Sequence, residues 1–191
     1  MTDESNLKDV LEGWPKIRSR RRVTVSPWVD IIERDVEFAP GRKAETYHAI
    51  GQSDYVSIVA MTPSGELPIV RQYRPALECF TWELPAGLVD PGEAAMDACR
   101  RELLEETGLS ARSIVALGVA SPDTGRLSNR IHSFFVQTDE PAPGFEPEPG
   151  LTLKFVSPAE LAQLIAAGEF VSHLHLGALM LAQVRSLLRL P

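Results

Sequence analysis

Cysteine is scarce in this sequence of 191 residues, which contains only Cys79 and Cys99. Two cysteines cannot supply a disulfide framework or a four-cysteine zinc site. Long apolar runs are also missing. The longest stretch without a formal charge, from Phe170 to Val184, is shorter than the roughly 20 apolar residues of a membrane helix and includes polar side chains. The N-terminal residues show no basic segment followed by an apolar one, so we expect neither a secretory signal nor a membrane partner.

Basic residues are outnumbered, with 19 lysines and arginines against 26 aspartates and glutamates and a net charge of −7. This balance argues against a general nucleic-acid-binding protein and favours a cytoplasmic one with a small-molecule partner. A short basic tract, Arg18–Arg22, stands out against it. The tract is interpreted as a solvated edge or a partner for acidic side chains. The alternative is a phosphate- or RNA-binding arm, but no aromatic residues alternate with the arginines.

The chain is expected to have a leader over residues 1–22, a group of strands over 23–50 and a main domain over 51–191. Most segments before Gly92 are rich in β-branched and aromatic residues, which is typical of strands. The pattern then changes to a helical one that ends at Thr107, before a glycine suited to a helix C-terminus. Ser157 and Pro158 predict the start of a second helix, and a third is predicted from Leu174 to Leu188.

Three glutamates at helical spacing carry the most chemical information. Glu102, Glu105 and Glu106 occupy positions i, i+3 and i+4, which share one face of a helix, and their like charges repel one another. A solvated acidic face is one interpretation. The other is a site for Mg²⁺ or Mn²⁺, because these ions take oxygen ligands and keep waters and substrate phosphates as further ligands.

The residues around these glutamates favour the metal site. Gly87 follows a predicted strand and allows a sharp turn into a loop. Glu93 lies at the entrance of the helix, where it complements the positive end of the helix dipole. Arg101 lies beside the acidic face and can neutralise or orient one carboxylate, most simply through a bidentate pair. The sequence therefore predicts a strand, a loop and a helix that together fix a carboxylate cluster.

Residues 87–109 resemble the Nudix box, G-x5-E-x7-R-E-U-x-E-E-x-G-U with U an aliphatic residue, at every defined position. Gly87, Glu93, Arg101 and Gly108 match the structural positions of the box. The resemblance implies an α+β Nudix fold, in which a mixed sheet is sandwiched between helices and a small N-terminal group of strands is added. It also implies hydrolysis of a nucleoside diphosphate linked to another moiety.

The same resemblance implies a metal site. Glu102 and Glu106 would be ligands, Glu105 would contribute directly or through water, and the main-chain carbonyl of Ala86 would complete the set. The expected cofactor is Mg²⁺, with Mn²⁺ as an alternative, and the number of ions stays open. Physical chemistry agrees, because bare carboxylates would repel an anionic diphosphate whereas bound cations invert the local charge.

The flanking residues resemble the branch of the family that contains ADP-ribose pyrophosphatases and nucleoside diphosphate sugar hydrolases. Segments 71–75 and 83–87 carry this likeness. In that branch the N-terminal strands help to form a homodimer, and an aromatic side chain stacks on the base. Trp28 is the first candidate and Tyr47 the second, with a strand core or a dimer seam as the alternative for both. Arg74 is a candidate for contacting the diphosphate or the terminal ribose, or else forms a structural salt bridge.

The general base is less well defined by the sequence. Relatives often carry a glutamate on a mobile loop before the last strand. Here the region from 139 to 149 contains four prolines and four acidic residues. Glu148 is the preferred candidate, followed by Glu146, and otherwise Glu105 activates the water. The four histidines and Cys99 are interpreted as structural.

The sequence thus predicts a Mg²⁺-dependent pyrophosphohydrolase of ADP-ribose or a related nucleoside diphosphate sugar. Three alternatives remain at this point. One is a Nudix hydrolase for GDP- or UDP-hexoses, and another is a non-catalytic Nudix domain that senses a nucleotide. The third, an enzyme that removes RNA caps, would use the basic tract, but the acidic net charge opposes it.

Overall fold

A computed structural model describes residues 13–140 and 144–191, and within these ranges it contains ten strands and three helices. The chain divides into two compact units. Unit 1 consists of the described part of residues 1–52 together with residues 123–129. Unit 2 consists of residues 53–122 and the described part of 130–191. The predicted boundary near residue 50 is close to the observed one, but the loop at 123–129 was not expected to belong with the N-terminal strands.

Unit 1 is built on a three-stranded antiparallel sheet with the order β1-β2-β3. Its strands are β1 (Lys16–Ser26), β2 (Val29–Glu37) and β3 (Glu45–Gly51). The first strand begins inside the segment that the sequence assigned to a leader. Charged residues dominate Lys16–Arg22, β-branched residues follow at Val23–Val25, and the neighbouring β2 contains the carboxylates that pair with the arginines.

The basic tract of β1 lies against the acidic residues of β2. Arg18 pairs with Glu37, and Arg21 pairs with Glu33. The register explains the second contact, because Arg21 and Glu33 face each other across the antiparallel strands, whereas Arg18 lies at a register shift near the pair of Lys16 and Glu37. These contacts agree with the interpretation that the arginines of the tract pair with acidic side chains.

Unit 2 contains two sheets. One has the order β7-β4-β9-β8, in which β4 and β9 are parallel and the other pairs are antiparallel. The second has the order β10-β5-β6 and is antiparallel throughout. The strands of unit 2 are β4 (Tyr55–Met61), β5 (Leu67–Arg74), β6 (Cys79–Glu83), β7 (Ala86–Leu88), β8 (Ala111–Ala120), β9 (Ile131–Thr138) and β10 (Thr152–Val156).

The three helices lie in the predicted segments, although the third ends at Val184 and not at Leu188. They are α1 (Ala95–Thr107), α2 (Pro158–Ala166) and α3 (His173–Val184). Gly108 ends α1 with a φ of 68°, a left-handed conformation that favours glycine, and its amide donates to the carbonyl of Leu104. Ser157 begins α2 with a capping box, in which Ser157 and Glu160 satisfy each other's backbone amides.

The central strand β4 has a buried core on each of its faces. Val56 and Ile58 pack with Leu103 of α1. Val59, on the opposite face, packs in a second core with Leu161 of α2. Leu179 of α3 belongs to this second core. The predicted α+β fold with a mixed sheet between helices is confirmed. In the described part of the chain no helix has the length and apolar character needed to cross a membrane.

Candidate functional site

The carboxylate segment, residues 86–108, runs from β7 through a loop into α1, and one glycine determines how closely its parts approach. A Cβ atom built on Gly87 would lie 2.0 Å from the carboxylate carbon of Glu102. No side chain could occupy that position without moving Glu102. Glycine at position 87 therefore lets the carboxylate of α1 lie directly against the backbone of β7.

Arg101 is the centre of the ion pairs in this segment. Its Nε and Nη2 donate to the two carboxylate oxygens of Glu93 at 3.0 and 2.9 Å. Its Nη1 donates to Glu102 at 2.7 Å and to Glu105 at 3.1 Å, and Nη2 also donates to the carbonyl of Leu88 at 3.0 Å. The sequence predicted a bidentate pair with one of the clustered glutamates, but the bidentate partner is Glu93. As a result the pKa of Glu93 lies below its usual value.

Glu106 has a different environment from the other two glutamates. One of its carboxylate oxygens accepts a hydrogen bond from the amide of Ala86 at 2.9 Å. Burial raises the pKa of Glu106 to about 8, the amide of Ala86 opposes this rise, and the negative charge of Glu102 adds to it. Burial also raises the pKa of Glu102. The negative charges of Glu102 and Glu106 are therefore only partly balanced by the groups around them.

This donor set fits a divalent cation. The three glutamates of α1 and the backbone of Ala86 supply only oxygen ligands, which Mg²⁺ and Mn²⁺ prefer. A cation would also relieve the charge that raises the pKa of Glu106. Across residues 13–140 and 144–191, no three His, Cys, Asp or Glu side chains are already arranged to hold a metal ion. Two of the glutamates turn to Arg101 and one to the amide of Ala86, so the ligand roles stay a prediction.

Arg74 forms the salt bridge that the sequence left as an alternative to substrate binding. Its Nε donates to one oxygen of Glu83 at 2.7 Å and its Nη2 to the other at 2.5 Å. The pKa of Arg74 is raised, first by these hydrogen bonds and further by the negative charge of Glu106. The Arg74 side chain is still 41% exposed. A substrate role is therefore compatible with the salt bridge and stays a prediction.

The contacts of His175, which the sequence suggests only as a structural residue, come from the fold. This residue of α3 is 3% exposed, and its ring contacts the hydroxyl of Ser57 at 2.9 Å and the carboxylate of Glu83 at 3.2 Å. These partners are 118 and 92 residues away along the chain. No local spacing connects them, so only the fold could reveal the contact.

The acidic loop before β10 is anchored to α1 by an aromatic ring. A Cβ atom on Gly108 would lie 2.4 Å from the ring of Phe145, so this ring packs directly on the glycine that ends the helix. Glu146 and Glu148, the candidate bases, are exposed on the same loop. Residues 141–143 of the loop lie outside the described residues. The sequence of the loop does not predict that Phe145 packs on Gly108 of the carboxylate segment.

Trp28 lies in the turn between β1 and β2 of unit 1 and is 69% exposed. Trp28 is therefore not part of a strand core in the single chain, which was one of the alternatives left by the sequence. Base stacking and a dimer seam both remain compatible with its exposure.

Tyr47 lies on β3 opposite Arg34 and is 48% exposed. Both residues line a cavity of about 280 Å³ within unit 1, together with His48 and Arg126. An aromatic ring beside two guanidinium groups is a combination that can hold an anionic ligand with a planar ring. Stacking by Tyr47 stays a prediction.

Comparisons with known proteins agree with this geometry. The model of the NUDIX domain family matches residues 52–174. The chain is 30% identical over 154 residues to an ADP-ribose pyrophosphatase of Mycobacterium tuberculosis, covering 78% of this chain and 74% of that protein. It is 30% identical over 109 residues to an ADP-ribose pyrophosphatase of Bacillus subtilis, covering 57% of this chain and 58% of that one.

Two further similarities concern enzymes with a broader description. The chain is 29% identical over 138 residues to the ADP compounds hydrolase NudE of Escherichia coli, covering 71% of this chain and 74% of that protein. A crystal structure of an ADP compounds hydrolase superimposes with a TM-score of 0.74 at 26% identity and covers 91% of this chain and 97% of that one. The carboxylate segment, the sheet between helices and these similarities lead to one conclusion: the chain belongs to the Nudix hydrolase family.

Proposed function

We propose that this protein is a Mg²⁺-dependent pyrophosphohydrolase that cleaves ADP-ribose, or a related nucleoside diphosphate sugar, into two phosphate monoesters. The observation that carries the proposal is the cluster of Glu102, Glu105 and Glu106 on α1, of which Glu106 accepts a hydrogen bond from the amide of Ala86. Similarity to two ADP-ribose pyrophosphatases and an ADP compounds hydrolase supports the choice of substrate. With ADP-ribose the products are AMP and ribose 5-phosphate.

The reaction adds one water molecule across the diphosphate. The water oxygen bonds to one phosphorus, the bridging oxygen leaves with the other phosphate, and the protons of the water are shared between the products and the solvent. Glu102, Glu106, Glu105 and the carbonyl of Ala86 would hold Mg²⁺. When bound, Mg²⁺ supplies positive charge that neutralises the diphosphate and polarises its phosphorus.

The chain's own residues divide the remaining tasks. Glu148 accepts the proton of the attacking water, with Glu146 as the next candidate and Glu105 as the alternative. The loop that carries the first two is exposed, and it is fixed to the end of α1 through Phe145. Arg74 offers N–H donors to an oxygen of the substrate, since a guanidinium has five donors and Glu83 takes two of them.

Base recognition is assigned to unit 1. Trp28 is the first candidate for stacking, because an exposed indole can cover a nucleobase without loss of a core contact. Tyr47 is the second, and its cavity with Arg34 and Arg126 supports it. The exposure of both rings supports these assignments.

A homodimer formed through unit 1 is part of the proposal. Val23 and Val25 are 42% and 65% exposed on β1 of this unit, an apolar surface that a second copy of the chain would cover. Light scattering should give about twice the mass of one chain. Val25→Asp should weaken the dimer, whereas Val184→Asp, at a 75% exposed position of α3, is the matched control. A wild-type protein that is monomeric at micromolar concentration would contradict the homodimer.

A substrate panel tests the function. The protein is incubated with Mg²⁺ and with ADP-ribose, GDP-mannose, UDP-glucose, NADH or diadenosine polyphosphates, and products are separated by ion-exchange chromatography. We expect ADP-ribose to have the highest kcat/KM and to yield AMP. A preference for GDP-mannose or UDP-glucose would contradict the choice of ADP-ribose and identify a hydrolase of nucleoside diphosphate hexoses. Binding without turnover of any compound would instead identify a nucleotide-sensing domain.

Thermal unfolding tests the metal site without a substrate. A ligand that binds only the folded state raises the melting temperature with its concentration. Mg²⁺ should therefore raise the melting temperature of the wild type and of Glu169→Gln, at an exposed position away from the carboxylate segment. Glu106→Gln should respond much less. An equal response of Glu106→Gln would exclude Glu106 as a ligand.

A further inference from the structure

A buried polar chain connects α3 to the edge of the carboxylate segment. It consists of Ser57, His175, Glu83 and Arg74, which all belong to unit 2. The first three are at most 4% exposed, whereas Arg74 is 41% exposed at its outer end. Buried polar groups are costly unless all are satisfied, so such a chain holds its members in one arrangement.

The hydrogen bonds define the protonation state of His175. An ionised carboxylate only accepts hydrogen bonds, so Nε2 of His175 carries the proton that it donates to Glu83. Nδ1 then accepts from the hydroxyl of Ser57. Burial lowers the pKa of His175, although the charge of Glu83 opposes this effect, and the ring is therefore neutral at pH 7.

Glu83 is fixed from several sides. Arg74 donates to both of its oxygens, the hydroxyl of Thr81 donates to Oε1, and His175 donates to Oε2. Four donors match the roughly four acceptor sites of a carboxylate. Burial alone would raise the pKa of Glu83, but the hydrogen bonds outweigh it and hold that pKa well below its usual range. Glu83 is therefore a permanently charged anchor for Arg74.

Both ends of this polar chain relate to the carboxylate segment. The charges of Arg74 and Glu106 influence each other: Glu106 contributes to the raised pKa of Arg74, and Arg74 opposes the rise in the pKa of Glu106. Ser57, at the other end, is paired in register with Ala86 across β4 and β7. The chain thus begins at the residue paired with Ala86 and ends at an arginine whose charge Glu106 influences.

We propose that His175 is a positioning residue for substrate binding: through Glu83 it fixes the guanidinium of Arg74 for the diphosphate. This inference rests on the proposed function, in which Arg74 contacts the substrate. Without the Nε2–H of His175, the Glu83 carboxylate loses one of its four donors and can rotate, and Arg74 moves with it. The effect belongs to KM, because Arg74 binds a part of the substrate that is charged before and during the reaction.

Kinetics of the full-length protein with Mg²⁺ and ADP-ribose test the proposal. His175→Leu should raise KM about tenfold, because a hydrogen bond to a charged group is lost. His175→Gln keeps an amide donor and should recover most of this loss. His173→Leu, at an exposed position of the same helix, should leave KM unchanged. Unchanged KM in a folded His175→Leu would overturn the proposal.

A double-mutant cycle separates positioning from a general effect on structure. If His175 acts through Arg74, the variant Arg74→Ala/His175→Leu should have the KM of Arg74→Ala alone. Multiplied losses in the double variant would overturn the proposal. If His175→Leu fails to fold, Ser57→Ala takes its place, since it removes only the hydroxyl that orients the ring, and the same comparison with Arg74→Ala applies.

A measurement without turnover distinguishes failure of this proposal from failure of the proposed function. Long-range ¹H–¹⁵N spectra of the wild type should show His175 as the neutral Nε2–H tautomer at pH 7, and Arg74→Ala should shift its nitrogen resonances. A protonated ring, an Nδ1–H tautomer or unshifted resonances would overturn the coupling. If none of the panel compounds is cleaved, the proposed function fails while this spectroscopic test still decides the coupling.

Discussion

The carboxylate segment and the sheet of unit 1 hold their charged residues in different ways. In the segment, Arg101 bonds three glutamates; Arg101, Glu93 and Glu102 are largely buried, and Glu105 is half exposed. In unit 1, the arginines of β1 pair with β2 while their own side chains stay more than half exposed. Surface pairs of the second kind contribute little to stability, whereas partly buried ones fix geometry.

This difference suggests that the two regions have different tasks, one in the chemical step and the other in the selection of substrate. The carboxylate segment depends on short spacings along one strand, loop and helix, so few sequences can form it. Unit 1 offers exposed rings and a cavity whose lining comes from β2, β3 and residues 124–128. We expect turnover to depend mainly on the first region and nucleotide affinity mainly on the second.

Glu106→Gln should have the largest effect on turnover. We expect kcat to fall at least about a hundredfold, which corresponds to about 2.7 kcal/mol of barrier, because a ligand of the proposed cation is lost. The fold should persist, since the change removes a charge that burial disfavours. Steady-state kinetics and circular dichroism check both points, with Glu169→Gln as the control. Normal activity of Glu106→Gln at low Mg²⁺ would contradict the metal assignment.

Glu148→Gln should have the next largest effect, a fall in kcat of roughly a hundredfold at unchanged KM, because general-base catalysis typically contributes that much or more. Glu146→Gln on the same loop is the matched comparison. If Glu146→Gln causes the larger loss, the two assignments exchange. Full activity of both variants would leave Glu105 as the base.

Trp28→Ala should act on affinity instead of turnover. Base–aromatic stacking is worth about 1–3 kcal/mol, so KM for ADP-ribose should rise roughly ten- to a hundredfold, and Trp28→Phe should recover much of it. Because the side chain of Trp28 is exposed, the melting temperature of Trp28→Ala should differ little from that of the wild type. Unchanged KM in Trp28→Ala combined with a raised KM in Tyr47→Ala would transfer the stacking role to Tyr47. A large loss of kcat in either variant would break the division between the two regions.

The smallest predicted effect is on stability. The pKa of His175 is lowered in the fold, so the stability that its neutral form contributes is present above pH 6.5 and is lost as the pH falls below it. From pH 7.5 to 5.5 the wild type should therefore lose more stability than His175→Gln, which is measured as a larger fall in melting temperature. Differential scanning calorimetry checks this. A His175→Gln variant with the same pH dependence as the wild type would contradict a buried neutral histidine.

Much of the fold follows from local patterns in the sequence. Helix α1 could be predicted because a change of period, a glycine at its end and three glutamates at i, i+3 and i+4 coincide. The start of α2 could be predicted from Ser157 and Pro158. The start of β1 was misplaced because Lys16–Arg22 has a composition typical of a solvated segment. Only the register with β2 gives those arginines their partners.

The unpredicted parts of the site are contacts between distant residues. Nothing near His175 in the sequence points to Ser57 or Glu83, and nothing near Phe145 points to Gly108. Each contact depends on how helices and loops pack on the sheet, which a local pattern does not encode. The Glu93–Arg101 pair is also a product of the fold, since Glu93 precedes the first residue of α1 and the loop before the helix brings it back to Arg101.

The most direct test follows ADP-ribose by ³¹P NMR in the presence of Mg²⁺ with wild-type protein, Glu106→Gln or Trp28→Ala. With wild-type protein, the diphosphate signals should be replaced by those of AMP and ribose 5-phosphate. At saturating substrate, Glu106→Gln should leave the diphosphate almost intact, whereas Trp28→Ala should approach the wild-type rate. Persistence of the diphosphate with wild-type protein, or equal cleavage by wild type and Glu106→Gln, would contradict the assignment of the chemistry to the carboxylate segment.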